Sequence, residues 1–332
     1  MSLSYCLAID HPSRVAESRR LVTEVARSEG LSEQEVSNAS IVASELASNL
    51  SKHAKRGELH VLALSGCGRA GVEIISIDHG PGIANLKDSF VDGHSSAGTA
   101  GTGLGAIRRL SGEFDVHSIP NSGTVLVSRI FAQGARAAET EFSIGVVTRP
   151  LRTEAASGDG WVVRFEEDGM IAMVADGLGH GMMAHDAANA AIDAFQRSEE
   201  RAPDELIRTI HHALRGSRGA AVAVARVDVK KNQVGFAGLG NIAGILLHPG
   251  QTQTMVSHYG TAGHEARQIR EFVYPWSKES ILVMHTDGLS TNWNHDAVRS
   301  VRESLPSLMG AVLYRDFGRD RDDACVLVGK MQ

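Results

Sequence analysis

Hydrophobic positions in the first third of the chain recur with helical spacing and then with strand spacing. Apolar residues three and four apart predict two helices, at residues 12–29 and 32–54, after a short strand at residues 3–9. Ser32, with Glu35 three residues later, forms a capping box, which is typical of a helix start. Alternating apolar segments then predict strands at residues 59–64, 72–77, 114–118 and 124–131. We therefore expect a sheet covered by helices.

The pattern changes after a stretch of small and polar residues. Residues 132–141 (AQGARAAETE) have no helical or strand periodicity, so we expect a linker there. The chain beyond it is richer in strands, with helices predicted near residues 182–197, 203–214 and 295–305. The predicted strands lie at residues 144–148, 161–165, 170–175, 220–227, 233–239, 242–247 and 281–286. This organisation predicts two α/β domains, at residues 1–131 and 142–332.

Composition and charge narrow the class of protein. The 332 residues are 42% hydrophobic and 22% charged, which is typical of a folded globular chain. The net charge of −6 and the lack of a basic cluster argue against a nucleic-acid partner. No apolar run approaches the roughly 18 residues of a membrane span, so we expect no membrane association and a cytoplasmic location. Three widely separated cysteines, Cys6, Cys67 and Cys325, form no CxxC pair, so we expect packing roles for them rather than a zinc knuckle or a disulfide framework.

Two polar residues share one face of the second predicted helix. Glu45 and Asn49 lie four positions apart, beside an apolar row formed by Val42, Leu46 and Leu50. A carboxylate and a carboxamide one turn apart suit Mg²⁺ and its bound water. Such a pair is also typical of an ordinary solvated helix face, and the spacing alone does not decide between the two interpretations.

Glycine-rich motifs follow this helix. Asp78 ends a predicted strand and begins DHGPG, in which Gly80 and Gly82 allow close approach of a flat ligand while the carboxylate accepts an amine; a simple Pro-Gly turn is the alternative. The segment GTGLG, residues 101–105, then runs into a helical pattern. Glycines at a helix start expose N–H groups that bind phosphate.

The order of these motifs resembles the GHKL ATPase superfamily, and within it the bacterial serine kinases of the anti-sigma and switch type. The likeness covers roughly residues 1–131 and rests on ASELASNLSKHA, DHGPGI and GTGLGAIRRLSGEFDVHSIPNSGTVL. It implies a Bergerat α/β sandwich that binds ATP and transfers phosphate to a protein serine or threonine. It further implies that Asn49 holds Mg²⁺, that Glu45 helps activate the attacking hydroxyl and that Asp78 binds adenine. The glycines implied in the lid and phosphate pocket are Gly80, Gly82, Gly101, Gly103 and Gly105.

Aspartates recur beside apolar strands in the second half of the chain, at Asp159, Asp176, Asp287 and the pair Asp322–Asp323. Each of them could begin a turn. If they converge instead, their mutual repulsion requires cations, and an all-oxygen set favours Mg²⁺ or Mn²⁺. Two such ions about 3.5–4 Å apart activate a water that attacks phosphorus in line.

The segments VADGLGHGMMAHDAANAAI and RDDACVLV resemble the SpoIIE-type branch of the metal-dependent (type 2C) serine/threonine phosphatases, over roughly residues 142–332. The resemblance implies an α-β-β-α sandwich. It implies that Asp176 bridges two metal ions, that the Gly177 carbonyl joins the first, and that Asp287 and Asp322 bind the second. Asp159 would orient metal-bound water, and Asp323 is the alternative to Asp322. No arginine matches a phosphate clamp.

Together, the two resemblances imply a bifunctional partner-switching regulator with ATP, Mg²⁺ and Mn²⁺ as cofactors. The expected partner is a STAS-domain antagonist protein that is phosphorylated on serine or threonine. In an alternative interpretation, the N-terminal domain only binds ATP and a partner, and the phosphatase alone is active. The sequence specifies no oligomeric state.

Overall fold

The computed structural model describes residues 4–86, 90, 103–135, 140–154, 156–293 and 295–332. The chain forms two compact units. The first contains residues 2–137 together with residues 299–315, and the second contains residues 138–298 and 316–332. The linker at residues 132–141 remains a prediction. The sequence did not predict that residues 299–315, near the C-terminus, belong to the first unit.

The first unit is built on a five-stranded antiparallel sheet in the order β1-β2-β3-β5-β4. Its strands are β1 (Ser4–Ala8), β2 (Glu58–Ala63), β3 (Gly71–Ile77), β4 (Glu113–Ile119) and β5 (Gly123–Phe131). Its helices include α1 (Arg14–Ser28), α2 (Glu33–His53) and α3 (Gly103–Leu110), with a 3₁₀ turn at Leu64–Cys67. The predicted capping box is present, because the Ser32 side chain accepts from the Glu35 N–H and the Glu35 carboxylate accepts from the Ser32 N–H.

One face of this sheet packs against α1 and α2. The buried apolar rows of the two helices, including Val22, Val25 and Leu46, form one core with Leu59 and Ile74 of the sheet. Removing a side chain of this kind from a core costs about 2–5 kcal/mol. Since strand residues alternate between faces, the intervening residues of β2 and β3 point to the opposite side.

Residues 299–315 supply side chains to that opposite side. The Tyr314 hydroxyl donates to Glu58 of β2 at 2.8 Å, and the Ser307 hydroxyl contacts Glu73 of β3. The helix predicted at residues 295–305 ends at Ser300 (α6, His295–Ser300), and a further helix, α7 (Pro306–Phe317), was not predicted. Every residue from 306 to 315 is buried, so α7 has no polar face from which helical periodicity could be recognised.

The second unit contains two five-stranded sheets, β13-β10-β9-β8-β7 and β12-β11-β14-β15-β6. The helices α4 (Met182–Arg197) and α5 (Pro203–Ala213) pack on the first sheet through an apolar core. The strands are β6 (Phe142–Arg149), β7 (Asp159–Glu166), β8 (Gly169–Gly177), β9 (Ala220–Asp228), β10 (Gln233–Leu239), β11 (Ala243–His248), β12 (Gln251–Met255), β13 (Phe272–Pro275), β14 (Ile281–His285) and β15 (Ala324–Met331). The two α/β units confirm the predicted fold class.

Three of these strands, β12, β13 and β15, are not among the predicted strands, although β15 follows the Asp322–Asp323 pair that the sequence places beside an apolar strand. β12 and β13 are short edge strands with polar or exposed residues, so neither has the apolar alternation of a half-buried strand. Among the helices in the described part of the chain, none has the length and apolar character needed to cross a membrane.

A candidate metal centre and a candidate nucleotide site

The register of the first sheet in the second unit brings two of the predicted aspartates together. Asp159 begins β7 and is the cross-strand partner of Asp176 near the end of β8. Asp159 is buried, with 7% of its surface exposed. Burial, and then the negative charge of Asp176, raise the pKa of Asp159 well above its usual range.

Asp287 and Asp322 complete this acidic cluster. Burial raises the pKa of Asp176 to about 7, with the charges of Asp287 and Asp322 as the next causes. Burial and the charge of Asp322 likewise raise the pKa of Asp287. Each of the four carboxylates therefore lies within electrostatic reach of at least one of the others.

Two polar residues that the sequence did not assign hold these carboxylates in place. Asn241 donates to the Asp287 carboxylate at 2.7 Å, and its hydrogen bond also lowers the pKa of Asp176. The Thr286 hydroxyl donates to Asp159 at 2.7 Å and accepts the Cys325 N–H at 3.0 Å. Asn241 follows a predicted strand within the motif GLGNI, and Thr286 directly precedes Asp287. These placements beside strand ends are signals in the sequence for the two residues.

Asp322 and Asp323 differ in the hydrogen bonds that their carboxylates accept. The buried Asp323 carboxylate accepts the Leu151 N–H at 2.6 Å and the Gly158 N–H at 2.9 Å. Asp322 is partly exposed, and its side chain accepts the N–H of Asp323 at 2.9 Å. Asp323 therefore supports the backbone around Asp159, and the geometry favours Asp322 as the ligand for an ion.

Gly177 lies where the chain turns from β8 towards α4. A Cβ atom at this position would lie 2.1 Å from the Ala184 carbonyl oxygen, so only glycine allows the helix to approach the strand end. The Gly177 N–H donates to the Gly158 carbonyl at 3.0 Å, which fixes the peptide beside Asp176. Backbone φ angles of 91° at Gly179 and 75° at Gly181 complete the turn into α4.

The donor set suits hard divalent cations. All four side chains offer carboxylate oxygens, which Mg²⁺ and Mn²⁺ prefer. The raised pKa values of Asp159, Asp176 and Asp287 reflect burial together with neighbouring negative charge, which cations would neutralise. Within the described residues, no three of these carboxylates bring one oxygen each to within 4.8 Å of one another. Since oxygens bound at about 2.1 Å to one Mg²⁺ ion lie no more than about 4.2 Å apart, an ion held by three of these carboxylates would draw their oxygens closer together.

In the first unit, the structure brings three of the predicted nucleotide-site residues together. Glu45 and Asn49 lie on α2, and Gly103 begins α3. A Cβ atom on Gly103 would lie 3.0 Å from Glu45 Oε2 and 4.0 Å from Asn49 Nδ2. The N-terminus of α3, which favours anions, therefore faces the two polar side chains of α2.

Asp78 follows the end of β3 in the same unit. Its carboxylate accepts the Gly80 N–H at 2.6 Å. Burial raises the pKa of Asp78, while hydrogen bonds from the Gly80 and Thr124 backbones oppose that rise. A partly buried carboxylate held by backbone N–H groups is well placed to accept an amine.

Glycines surround Asp78 because the backbone is crowded there. A Cβ atom on Gly82 would lie 2.2 Å from the Ile119 carbonyl oxygen, and one on Gly123 would lie 1.9 Å from the Asp78 carbonyl oxygen. Gly123 was not assigned by the sequence. Gly105 is buried within α3, and Gly101 lies outside the described residues.

Family models match both units. One, described as a histidine kinase-like ATPase domain, matches residues 10–130, and another, described as stage II sporulation protein E (SpoIIE), matches residues 166–332.

Similar proteins are known for each unit. The serine/threonine-protein kinase RsbT of Bacillus subtilis (strain 168) is 31% identical over 119 residues, which cover 36% of this chain and 90% of RsbT. The phosphoserine phosphatase RsbX of the same organism is 25% identical over 134 residues, covering 40% of this chain and 67% of RsbX. A solved structure described as "The bacterial stressosome: a modular system that has been adapted to control secondary messenger signaling" has a TM-score of 0.54 at 27% identity, covering 57% of this chain and 99% of that chain.

The fold and the matches define a chain in which a GHKL-type, RsbT-like kinase domain is joined to a metal-dependent phosphatase domain of type 2C. This confirms the predicted fusion. The chain belongs to the SpoIIE family, whose model matches half of its length.

Proposed function

We propose that the second unit hydrolyses phosphoserine or phosphothreonine in a protein, with Mg²⁺ or Mn²⁺ as cofactor. The observation that carries this proposal is the convergence of Asp159, Asp176, Asp287 and Asp322, in which neighbouring charges contribute to the raised pKa of Asp176. When bound, the cations would supply an activated water and neutralise charge that develops on the phosphoryl group.

The side chains of the chain itself have distinct roles in this proposal. Asp176 would hold both ions, with the Gly177 carbonyl on the first and Asp287 and Asp322 on the second. Asp159, fixed by Thr286, would orient water, and Asn241 would keep Asp287 in position. Arg319, whose guanidinium donates to the Asp287 carbonyl at 3.2 Å, is an exposed cation available for the substrate phosphate.

For the first unit we propose ATP-dependent transfer of phosphate to a serine or threonine of a protein. Asn49 would hold Mg²⁺, Glu45 would help to remove the proton of the attacking hydroxyl, and Asp78 would accept the adenine amine. The phosphates would lie against the glycines that lead into α3. The proximity of Gly103 to Glu45 and Asn49 supports this arrangement.

The proposed substrate of both reactions is a STAS-domain antagonist protein in the cytoplasm. A kinase and a phosphatase acting together on one residue would only consume ATP. We therefore expect either that a partner suppresses one reaction or that the two units act on different proteins.

The phosphatase proposal is tested with a phosphoserine peptide and added Mn²⁺. Asp176→Asn should abolish the metal-dependent release of phosphate. The matched control is Asp193→Asn on α4, an exposed aspartate whose Arg197 partner lies 3.5 Å away. Full activity in Asp176→Asn would contradict the proposal.

The kinase proposal is tested with labelled ATP and purified STAS-domain proteins. Asn49→Ala should remove phosphate transfer, whereas Asn38→Ala on the same helix, which contacts Gln34, should leave it unchanged. Binding of a fluorescent ATP analogue is measured in parallel. Nucleotide binding without transfer in the unaltered protein would favour the alternative function, in which the first unit only binds ATP and a partner.

A further inference from the structure

Three ligand-type side chains converge at the edge of the first unit's sheet, outside both sites described above. Cys6 on the edge strand β1 is the cross-strand partner of His60 on β2, and Glu58 lies on the same face two residues before His60. One ligand atom from each of these residues lies within 4.8 Å of the other two.

One hydrogen bond at His60 Nε2 does not account for both of its contacts. His60 Nε2 lies 3.6 Å from the Cys6 sulfur and 3.4 Å from Glu58 Oε2. The distance to Glu58 exceeds the roughly 2.7–3.2 Å of a normal N–H···O bond. A single proton on Nε2 also cannot point at both neighbours.

The same distances agree with a shared tetrahedral ion. Zinc bound by sulfur at about 2.3 Å and by nitrogen and oxygen at about 2.0–2.1 Å would hold the sulfur and the nitrogen about 3.6 Å apart. It would hold the nitrogen and the oxygen about 3.4 Å apart. Both values match the observed separations.

The surroundings of the cluster are also those of a metal site. Glu58 and His60 are buried, and the Tyr314 hydroxyl donates to Glu58 Oε2 at 2.8 Å, which fixes the carboxylate. Cys6 is only partly buried, which leaves an access path.

We propose that Cys6, His60 and Glu58 bind one zinc ion, with a fourth coordination position open to water. Thiolate and imidazole ligands select zinc over the hard cations expected at the aspartate cluster. Binding would displace the Cys6 thiol proton and the proton on His60 Nε2, and so would strengthen as the pH rises. The ion would tie the edge strand to β2 and, through Glu58, to Tyr314.

The experiment uses the full chain after treatment with a chelator, with Co²⁺ as a spectroscopic replacement for Zn²⁺. The Asp176→Asn variant is used throughout, so that the aspartate cluster binds as little Co²⁺ as possible. We expect one equivalent of Co²⁺ to produce sulfur-to-cobalt charge-transfer absorption, which Zn²⁺ then removes. The band reports sulfur ligation alone, so its outcome is independent of phosphatase activity.

Variants assign the ligands. Cys6→Ser should remove the charge-transfer band, whereas Cys67→Ser, at the other partly buried cysteine of the unit, should retain it. Tyr314→Phe should keep the band but weaken zinc affinity by about 10–100-fold in competition with a chromophoric chelator. If Cys6→Ser does not fold by circular dichroism, Glu58→Gln is tested for the same loss of affinity. Absence of the band in the folded protein, or an equal band in folded Cys6→Ser, would overturn the proposal.

Discussion

The Thr286 hydroxyl donates a hydrogen bond of 2.7 Å to the Asp159 carboxylate, and so it fixes a buried acid beside Asp176. The same oxygen accepts the backbone N–H of Cys325, which ties β15 to the cluster. A residue with no charge of its own thus orients the carboxylate to which the family resemblance gives the expected role of positioning water.

Replacing Thr286 by valine should weaken metal binding rather than abolish the reaction. The change leaves Asp159 without its donor and Cys325 N–H without its acceptor, and lost support of this kind costs about 10–100-fold in metal affinity or activity. The measurement is the Mn²⁺ concentration for half-maximal phosphatase activity. Thr286→Ser retains the hydroxyl and is the control; equal Mn²⁺ dependence in all three proteins would contradict the assigned role.

The aspartate cluster also predicts how stability depends on pH. The pKa of Asp176 is about 7 in the folded protein, against about 3.9 for an unfolded aspartate. Between these values the folded state binds more protons, so the free energy of unfolding of the metal-free protein should fall as the pH rises from about 4 to 7. Melting temperatures in the presence of a chelator test this, with Asp176→Asn showing a shallower fall.

Metal should reverse that trend, because ions bind the deprotonated carboxylates. We expect Mn²⁺ to raise the melting temperature more at pH 8 than at pH 6. A stabilisation by Mn²⁺ that is larger at the lower pH would argue against carboxylate ligands.

A buried ion pair in the first unit should be essential for its stability. Arg129 Nε lies 2.5 Å from the Glu73 carboxylate, which is fully buried, and both side chains contact Ser307. Arg129→Met leaves Glu73 charged and without this cation, at a cost of about 3–5 kcal/mol in the free energy of unfolding. Urea unfolding followed by circular dichroism measures the loss.

Glu113 provides the control for this pair. It also contacts Arg129, at 3.2 Å, but its side chain is 40% exposed. Glu113→Gln should therefore change the free energy of unfolding by no more than about 1 kcal/mol. If Arg129→Met and Glu113→Gln lowered the free energy of unfolding by similar amounts, burial would not determine how much each ion pair stabilises the unit.

Crowding beside Asp78 makes Gly123 sensitive to a single added methyl group. The alanine Cβ would lie 1.9 Å from the Asp78 carbonyl oxygen, so the Asp78 backbone must move. Overpacking typically costs about 1–3 kcal/mol. We expect Gly123→Ala to weaken ATP-analogue binding about tenfold or more, measured by fluorescence titration.

Gly30 separates this steric effect from backbone strain. Both glycines have a left-handed φ, 91° at Gly123 and 77° at Gly30, but nothing lies within 4 Å of a Cβ atom added at Gly30. Gly30→Ala should lower stability slightly and leave nucleotide binding unchanged. Equal binding by Gly123→Ala and the unaltered protein would place the nucleotide away from Asp78.

Arg319 is the residue to test for recognition of the substrate phosphate. Hydrogen bonds to charged groups contribute about 1.5–3 kcal/mol, so Arg319→Ala should lower kcat/KM for a phosphoserine peptide about tenfold or more. Arg321→Ala, an exposed arginine two residues later, is the control. If Arg319→Ala lowers kcat/KM no more than Arg321→Ala does, then another residue binds the substrate phosphate.

Local patterns in the sequence determined most of the elements that carry these sites. The capping box at Ser32 fixed the start of α2 and with it the spacing of Glu45 and Asn49, because capping and helical periodicity are short-range properties. The aspartates beside apolar strands were equally visible, and their number suggested that they converge. The family resemblance then gave the order of the two domains.

Only the tertiary structure decided which side chains meet. The contacts of three residues join positions far apart in the sequence: Asn241, Thr286 and Gly123. Helical or strand periodicity does not predict such contacts. The helix α7 was missed because it is buried on every side, which removes the polar face that marks an amphipathic helix. Cys6 and His60 meet because strand β1 pairs with β2 in a register that places these two residues, 54 positions apart in the sequence, opposite each other. The spacing of residues along the chain does not predict this register.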